Sequence, residues 1–184
     1  MTQQLVKELV DLEVHLMANL IIALDQSTQI SGYSIYKDGQ LIDYGHLSPS
    51  GEYLLRIVKL VKWLDNQIQN YSNDKITVLL EEIQLQSTPD SKGLMNVETF
   101  KKLAHCQGAL LAYLVDNKID YNIIPSVTWK KKCGIKGRAR AEQKKNAQLY
   151  VEKEFGIKAT QDESDAICIG KSYLKDNENT FNWE

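Results

Sequence analysis

Cysteine is scarce in this chain of 184 residues, and the three present, Cys106, Cys133 and Cys168, lie far apart with no Cys-x-x-Cys spacing and no histidine pair nearby. That excludes a disulfide framework and a zinc site and points to a reducing compartment. Long apolar runs are missing as well. The most continuous, Leu20 to Leu24 and Ile76 to Leu80, fall far short of the roughly 20 residues that a membrane helix needs, and the N-terminus has no signal-peptide centre. A cytoplasmic protein without a membrane partner is expected. No internal repeat or low-complexity stretch occurs, and His15, His46 and His105 form no paired arrangement, so they are read as structural or surface residues.

A strong excess of charge is also lacking. The formal net charge of -2 argues against a polyanionic partner if the charge is evenly spread. It is not evenly spread. Between Lys130 and Lys145 stand eight basic residues, Lys130, Lys131, Lys132, Lys136, Arg138, Arg140, Lys144 and Lys145, against the single acid Glu142. Gly134 and Gly137 punctuate the segment, which reads as a flexible loop able to follow a phosphate backbone; a solvated face is the plainer alternative. Trp129, just before it, is either a base-stacking aromatic or a core residue.

The length and the 43% hydrophobic content suit one globular domain. Residues 1–17 place Leu5, Leu9, Leu12 and Leu16 at helical spacing and read as an N-terminal helical extension, leaving residues 18–184 as the domain. Residues 19–26 form an apolar strand that ends near Asp25. A second strand spans Gly32 to Lys37, and Asp38-Gly39 turns the chain into a third around Leu41 to His46.

From Ser50 to Tyr71 a stripe of Tyr53, Ile57, Leu60, Val61, Leu64 and Ile68 predicts a helix. A strand over Ile76 to Leu80, a helix from Asn96 to Asn117 and a strand from Tyr121 to Ile124 follow, then helices over 140–154 and 161–175. Thr160 to Glu163 has capping-box spacing at the start of the last helix. Three antiparallel strands followed by alternating helices and strands predict an α/β fold, a mixed five-stranded sheet with helices on both faces.

Four carboxylates stand where chemistry is possible. Asp25 ends the first strand, Glu81 the fourth, and Asp162 and Asp165 share one face of the last helix. Oxygen ligands without nitrogen or sulfur select magnesium or manganese, and two such ions can drive phosphodiester hydrolysis. Taken singly, each acid is equally well a solvated strand end or a helix cap, and a cap or first-turn role is fully adequate for Asp162. Glu82 competes with Glu81, because strand alternation lets only one of them face the cluster.

Three segments carry a resemblance. IIALDQSTQISGYSIY (Ile21 to Tyr36), LLEEIQ (Leu79 to Gln84) and QDESDAICIG (Gln161 to Gly170) look like the first hairpin, the second acidic strand and the closing helix of RuvC-type Holliday junction resolvases, of the RNase H-like superfamily. HCQGALLAYL (His105 to Leu114) is similar to the family's middle helix. The ordered set covers about residues 20–175 and is closest in texture to the phage branch of the family, which would place the protein in a host cytoplasm.

The resemblance implies an RNase H-like fold and a magnesium-dependent endonuclease, manganese substituting, that cuts four-way junctions and related forks in DNA recombination and repair. It makes Asp25, Glu81, Asp162 and Asp165 the catalytic ligands of two ions and favours Glu81 over Glu82. Lys130 and one of Lys144 or Lys145 would face the scissile phosphate. It also implies a homodimer, with a helix over Val97 to Val115 in the contact. Where bacterial members carry a base-handling aromatic three residues after the acid, this chain has Gln84, so a sequence-selective cut is not implied. Two other functions fit parts of the sequence. An actin-like or sugar-kinase-type ATPase fragment matches ALDQST (Ala23 to Thr28) but lacks further nucleotide motifs, and a silent branched-DNA binder would have lost one of the four acids.

Overall fold

The structure, a computed structural model, describes residues 19–84 and 97–178; the expected N-terminal helix at 1–17 lies outside them. β1 (Asn19–Asp25), β2 (Ser31–Lys37) and β3 (Gln40–Leu47) form the antiparallel trio, with Asp38 and Gly39 both at positive φ in the turn that joins β2 to β3. The chain continues through α1 (Tyr53–Asn70), β4 (Lys75–Glu81), α2 (Val97–Asp116) and β5 (Asp120–Ile124). It ends in α3 (Ser126–Lys132), α4 (Arg140–Phe155) and α5 (Gln161–Glu178). The sheet order is β3-β2-β1-β4-β5, with β4 parallel to both β1 and β5. This is the expected mixed sheet of RNase H-like type.

Strand alternation divides the core in two. Leu20, Ile22 and Leu24 of β1, with Val78 and Leu80 of β4, pack against α1 and α2 through Ile57, Leu60, Leu64, Leu110 and Leu114. Ile21 and Ala23, with Leu79, pack on the opposite side against Trp129, Ala147, Val151, Ile167 and Ile169 from α3, α4 and α5. Because side chains alternate, the acids that end β1 and β4 share parity with this second set. They emerge on the side that α3 and α5 cover.

The segment read as a flexible basic loop is largely helical. Pro125, which reads in the sequence as a break before the basic segment, sits instead at the N-cap of α3, where its missing N–H is not needed, and α4 begins at Arg140. The basic residues therefore lie on two helices and the bend between them. No described helix is long and apolar enough to cross a membrane.

Candidate active site

The two strand ends meet first. Asp25 and Glu81 close adjacent strands, β1 and β4, and the negative charge of Glu81 acts on the Asp25 carboxyl. Glu82, just past the end of β4, is exposed and accepts a hydrogen bond from Gln84 Nε2 at 3.1 Å. Of the two competing glutamates, Glu81 is the one turned to Asp25.

Helix α5 brings the other pair. Its N-terminus lies on β2 at Gly32, which pairs with Asp25 across the strands. A Cβ on Gly32 would stand 1.9 Å from the Asp162 carbonyl oxygen, so only glycine permits this approach. Further along, Ser34 Oγ donates to the Ala166 carbonyl and Tyr36 Oη to the Ile167 carbonyl, each at 2.8 Å, fixing the helix to the strand. The start of α5 is held by the Glu163 carboxylate, which accepts from the Thr160 N–H at 2.7 Å, the returning half of a capping box. The other Glu163 oxygen meets His46 Nδ1 at 2.7 Å. His46, read as a structural or surface residue, is thus tied to the helix that carries Asp162 and Asp165; burial raises the Glu163 carboxyl, and these contacts outweigh it and hold the group below its ordinary range.

Electrostatics shows how closely the four acids are grouped. Burial pushes the Asp25 carboxyl well above the ordinary aspartate value, and the negative charges of Glu81, Asp165 and Asp162 push it further. Asp165 is raised to about 7, by burial and then by Glu81, while Lys130 and Lys144 pull it back. Four carboxylates from three elements therefore act on one another, as the sequence placement anticipates. By donor chemistry the set fits a hard divalent cation, being all oxygen and mutually repelling. It is a loose cluster in this conformation. Among the described residues no three His, Cys, Asp or Glu side chains converge on a point as a finished coordination shell.

Two residues that shape the site, Gln26 and Gln107, carry no signal in the sequence, and Trp129 takes a role beyond the base-stacking or core one read there. Buried Gln26 clasps the backbone of Glu81, its Oε1 accepting the Glu81 N–H at 3.0 Å and its Nε2 donating to the Glu81 carbonyl. Gln107 of α2, also buried, donates to the same carbonyl at 3.0 Å. Trp129 is only 1% exposed, which rules out base stacking, and its indole N–H donates to Glu81 Oε1 at 2.9 Å.

The basic residues divide by position. Lys130 and Lys144 act on Asp165 and so border the acids. Lys130, Lys131 and Lys136 line an open groove of about 480 Å³ with Ser126, Val127, Gly134, Ile135 and Gln143. Lys132 instead pairs with Asp176 near the far end of α5. Arg138, Arg140 and Lys145 are exposed on the bend and the first turns of α4.

The fold and the acid cluster define an RNase H-like domain with carboxylates at its strand ends. Comparison with solved structures narrows this to the RuvC fold. T. thermophilus RuvC in complex with a Holliday junction substrate superposes with a TM-score of 0.65 at 12% identity, over 87% of this chain and 95% of that one. A second Thermus thermophilus RuvC structure gives 0.64 at 13% identity, over 88% and 96%. The yeast mitochondrial Holliday junction resolvase Ydc2 gives 0.60 at 11% identity, over 96% and 88%. No family model and no curated protein sequence matches the chain.

Proposed function

We propose that this protein is a structure-selective DNA endonuclease that resolves four-way junctions and related branched DNA by hydrolysing phosphodiester bonds. The observation that carries the reading is the grouping of Asp25, Glu81, Asp162 and Asp165, from β1, β4 and α5, on one side of a RuvC-type sheet. RuvC from T. thermophilus, which shares this fold, is itself bound to a Holliday junction substrate.

Each part of the chain has a task in this reaction. The four carboxylates would hold two magnesium or manganese ions. Bound there, the ions supply positive charge that acidifies an attacking water and offsets charge on the departing 3′-oxygen. Gln26 and Gln107 fix the Glu81 backbone, and Gly32 lets α5 lie close enough for Asp162 and Asp165 to join the strand-end pair. Lys130 and Lys144 set positive charge beside the acids, so that a phosphate can approach a negative cluster. The groove lined by Lys130, Lys131 and Lys136 receives the adjoining backbone. The products carry 5′-phosphate and 3′-hydroxyl ends.

A four-way junction presents two equivalent strands, and a homodimer with one site per subunit matches that symmetry. Helix α2 keeps Val97 and Val115 exposed at its two ends and is the proposed contact.

The test is to incubate the purified protein with labelled four-way, forked and linear duplex DNA, with magnesium and with chelator. Symmetric nicking of the four-way substrate that needs the metal is expected. Binding without cleavage would leave a junction-binding protein, and ATP hydrolysis in a parallel arm would move the chain to the ATPase class.

A further inference from the structure

Trp129 and Lys130 are neighbours on α3, yet they act on different acids of the cluster. The indole N–H of Trp129 reaches Glu81 Oε1 at 2.9 Å, while the ammonium group of Lys130 acts on Asp165 and lies 5.1 Å from the centre of the Trp129 ring. The indole is almost fully buried among Ile135, Ala147 and Ile167 of the second core, so packing leaves it little freedom to turn away. An indole N–H can only donate, and a buried one needs an acceptor. The Glu81 oxygen provides it. The backbone of the same residue is fixed independently by Gln26 and Gln107, so both ends of the glutamate are restrained.

We infer that Trp129 is a positioning residue: its indole N–H holds Oε1 of Glu81, so that Glu81 offers a divalent cation its other oxygen. This rests on the metal-dependent reading above and adds to it the mode in which one ligand binds. A free glutamate side chain can rotate about three bonds and bind through one oxygen or both. With Oε1 held by the indole and the backbone clasped, much of that freedom is removed before any ion arrives. Partners of this kind, which orient a ligand without touching the metal, typically contribute a factor of about 10 to 100 in affinity or activity. The same hydrogen bond makes Trp129 an optical reporter, since an ion at Glu81 draws charge from the oxygen that the indole N–H faces.

Two preparations test this. The first is full-length W63F/W183F protein, in which Trp129 is the sole indole. Adding Mg²⁺, or Tb³⁺ as a luminescent probe of oxygen sites, should shift the Trp129 emission and the NMR resonance of its Nε1–H, and E81Q in the same background should abolish both shifts. The second is Trp129→Phe, which keeps an aromatic ring in the core and removes only the N–H donor. Its Mg²⁺ affinity by calorimetry should fall about tenfold, with a matching rise in the magnesium needed for half-maximal cleavage and no change in junction binding under chelator.

A shifted Trp129 signal together with an unchanged metal affinity in Trp129→Phe would overturn the positioning role. A Trp129 signal that does not respond while calorimetry records ion binding would overturn it as well, even if Trp129→Phe failed to fold. Wild-type protein that binds no divalent ion at all would overturn the nuclease reading itself, a different failure.

Discussion

Replacing Asp165 by asparagine should make the metal-free protein more stable, although it removes a proposed ligand. Asn keeps the size and shape of Asp and discards its charge. The carboxyl of Asp165 titrates near 7 in the fold against an ordinary 3.8, with burial the first cause and Glu81 the second. A carboxyl with a raised folded value binds more protons folded than unfolded between those two pH values, so stability falls as pH rises through that window. Below about pH 4 both states hold the proton and the effect vanishes. Above about pH 7 the full penalty applies, at most about 4 kcal/mol for a shift of this size at ~1.4 kcal/mol per unit. Local relaxation and water entry reduce this, and about 2 kcal/mol is the expected gain for Asp165→Asn at pH 8.

For a domain of this size that gain is a rise in melting temperature of roughly 4–8 °C. The assay is thermal or urea unfolding of wild type and variant in chelator at pH 3 and pH 8, repeated with magnesium. The two proteins should nearly coincide at the lower pH and separate at the higher. Magnesium should then close the gap by stabilising wild type preferentially. A variant equal to or less stable than wild type at pH 8 in chelator would mean that these acids do not crowd one another, and the metal-site argument would fall with that result.

Three further outcomes follow from the geometry. Asp25→Asn should abolish cleavage of a four-way junction while leaving its binding intact in a mobility-shift assay; loss of both would assign Asp25 a structural role. Gly32→Ala should destabilise the protein by about 2–3 kcal/mol in urea titration and remove cleavage, because its Cβ would collide with the Asp162 carbonyl oxygen at 1.9 Å; a variant as stable and active as wild type would contradict the close approach. Neutralising Lys130, Lys131 and Lys136 together should weaken junction binding and reduce its salt dependence by up to about three phosphate contacts, whereas Lys132→Ala, which breaks a pair with Asp176, should leave the salt slope unchanged.

The parts of this molecule that were legible in the sequence are those with one dominant pattern. The unbroken apolar runs of β1 and β4 mark buried strands, and the stripe from Tyr53 to Ile68 marks α1. The acids at the strand ends stood out because a charge ending an apolar run is conspicuous. Helix α3 was missed because seven residues make less than two full turns, too few to show a stripe, and Pro125 reads as a breaker although it is equally suited to a helix start.

The supporting residues of the site were illegible for another reason. Gln26 and Gln107 bond to a backbone that is distant in sequence, and His46 meets Glu163 across 117 positions. An amide or an imidazole carries no local pattern that reveals a partner so far away. Trp129 was correctly weighed as a core residue, yet its polar edge, which makes it more than packing, depends on a neighbour that only the folded chain supplies.

Because half of the acid cluster rides on α5, the last element described, and is held there by bonds from Ser34 and Tyr36 near the start of the chain, no nascent polypeptide still lacking its final helix has all four acids. If the proposed function holds, cutting capacity would arise only once synthesis has passed α5.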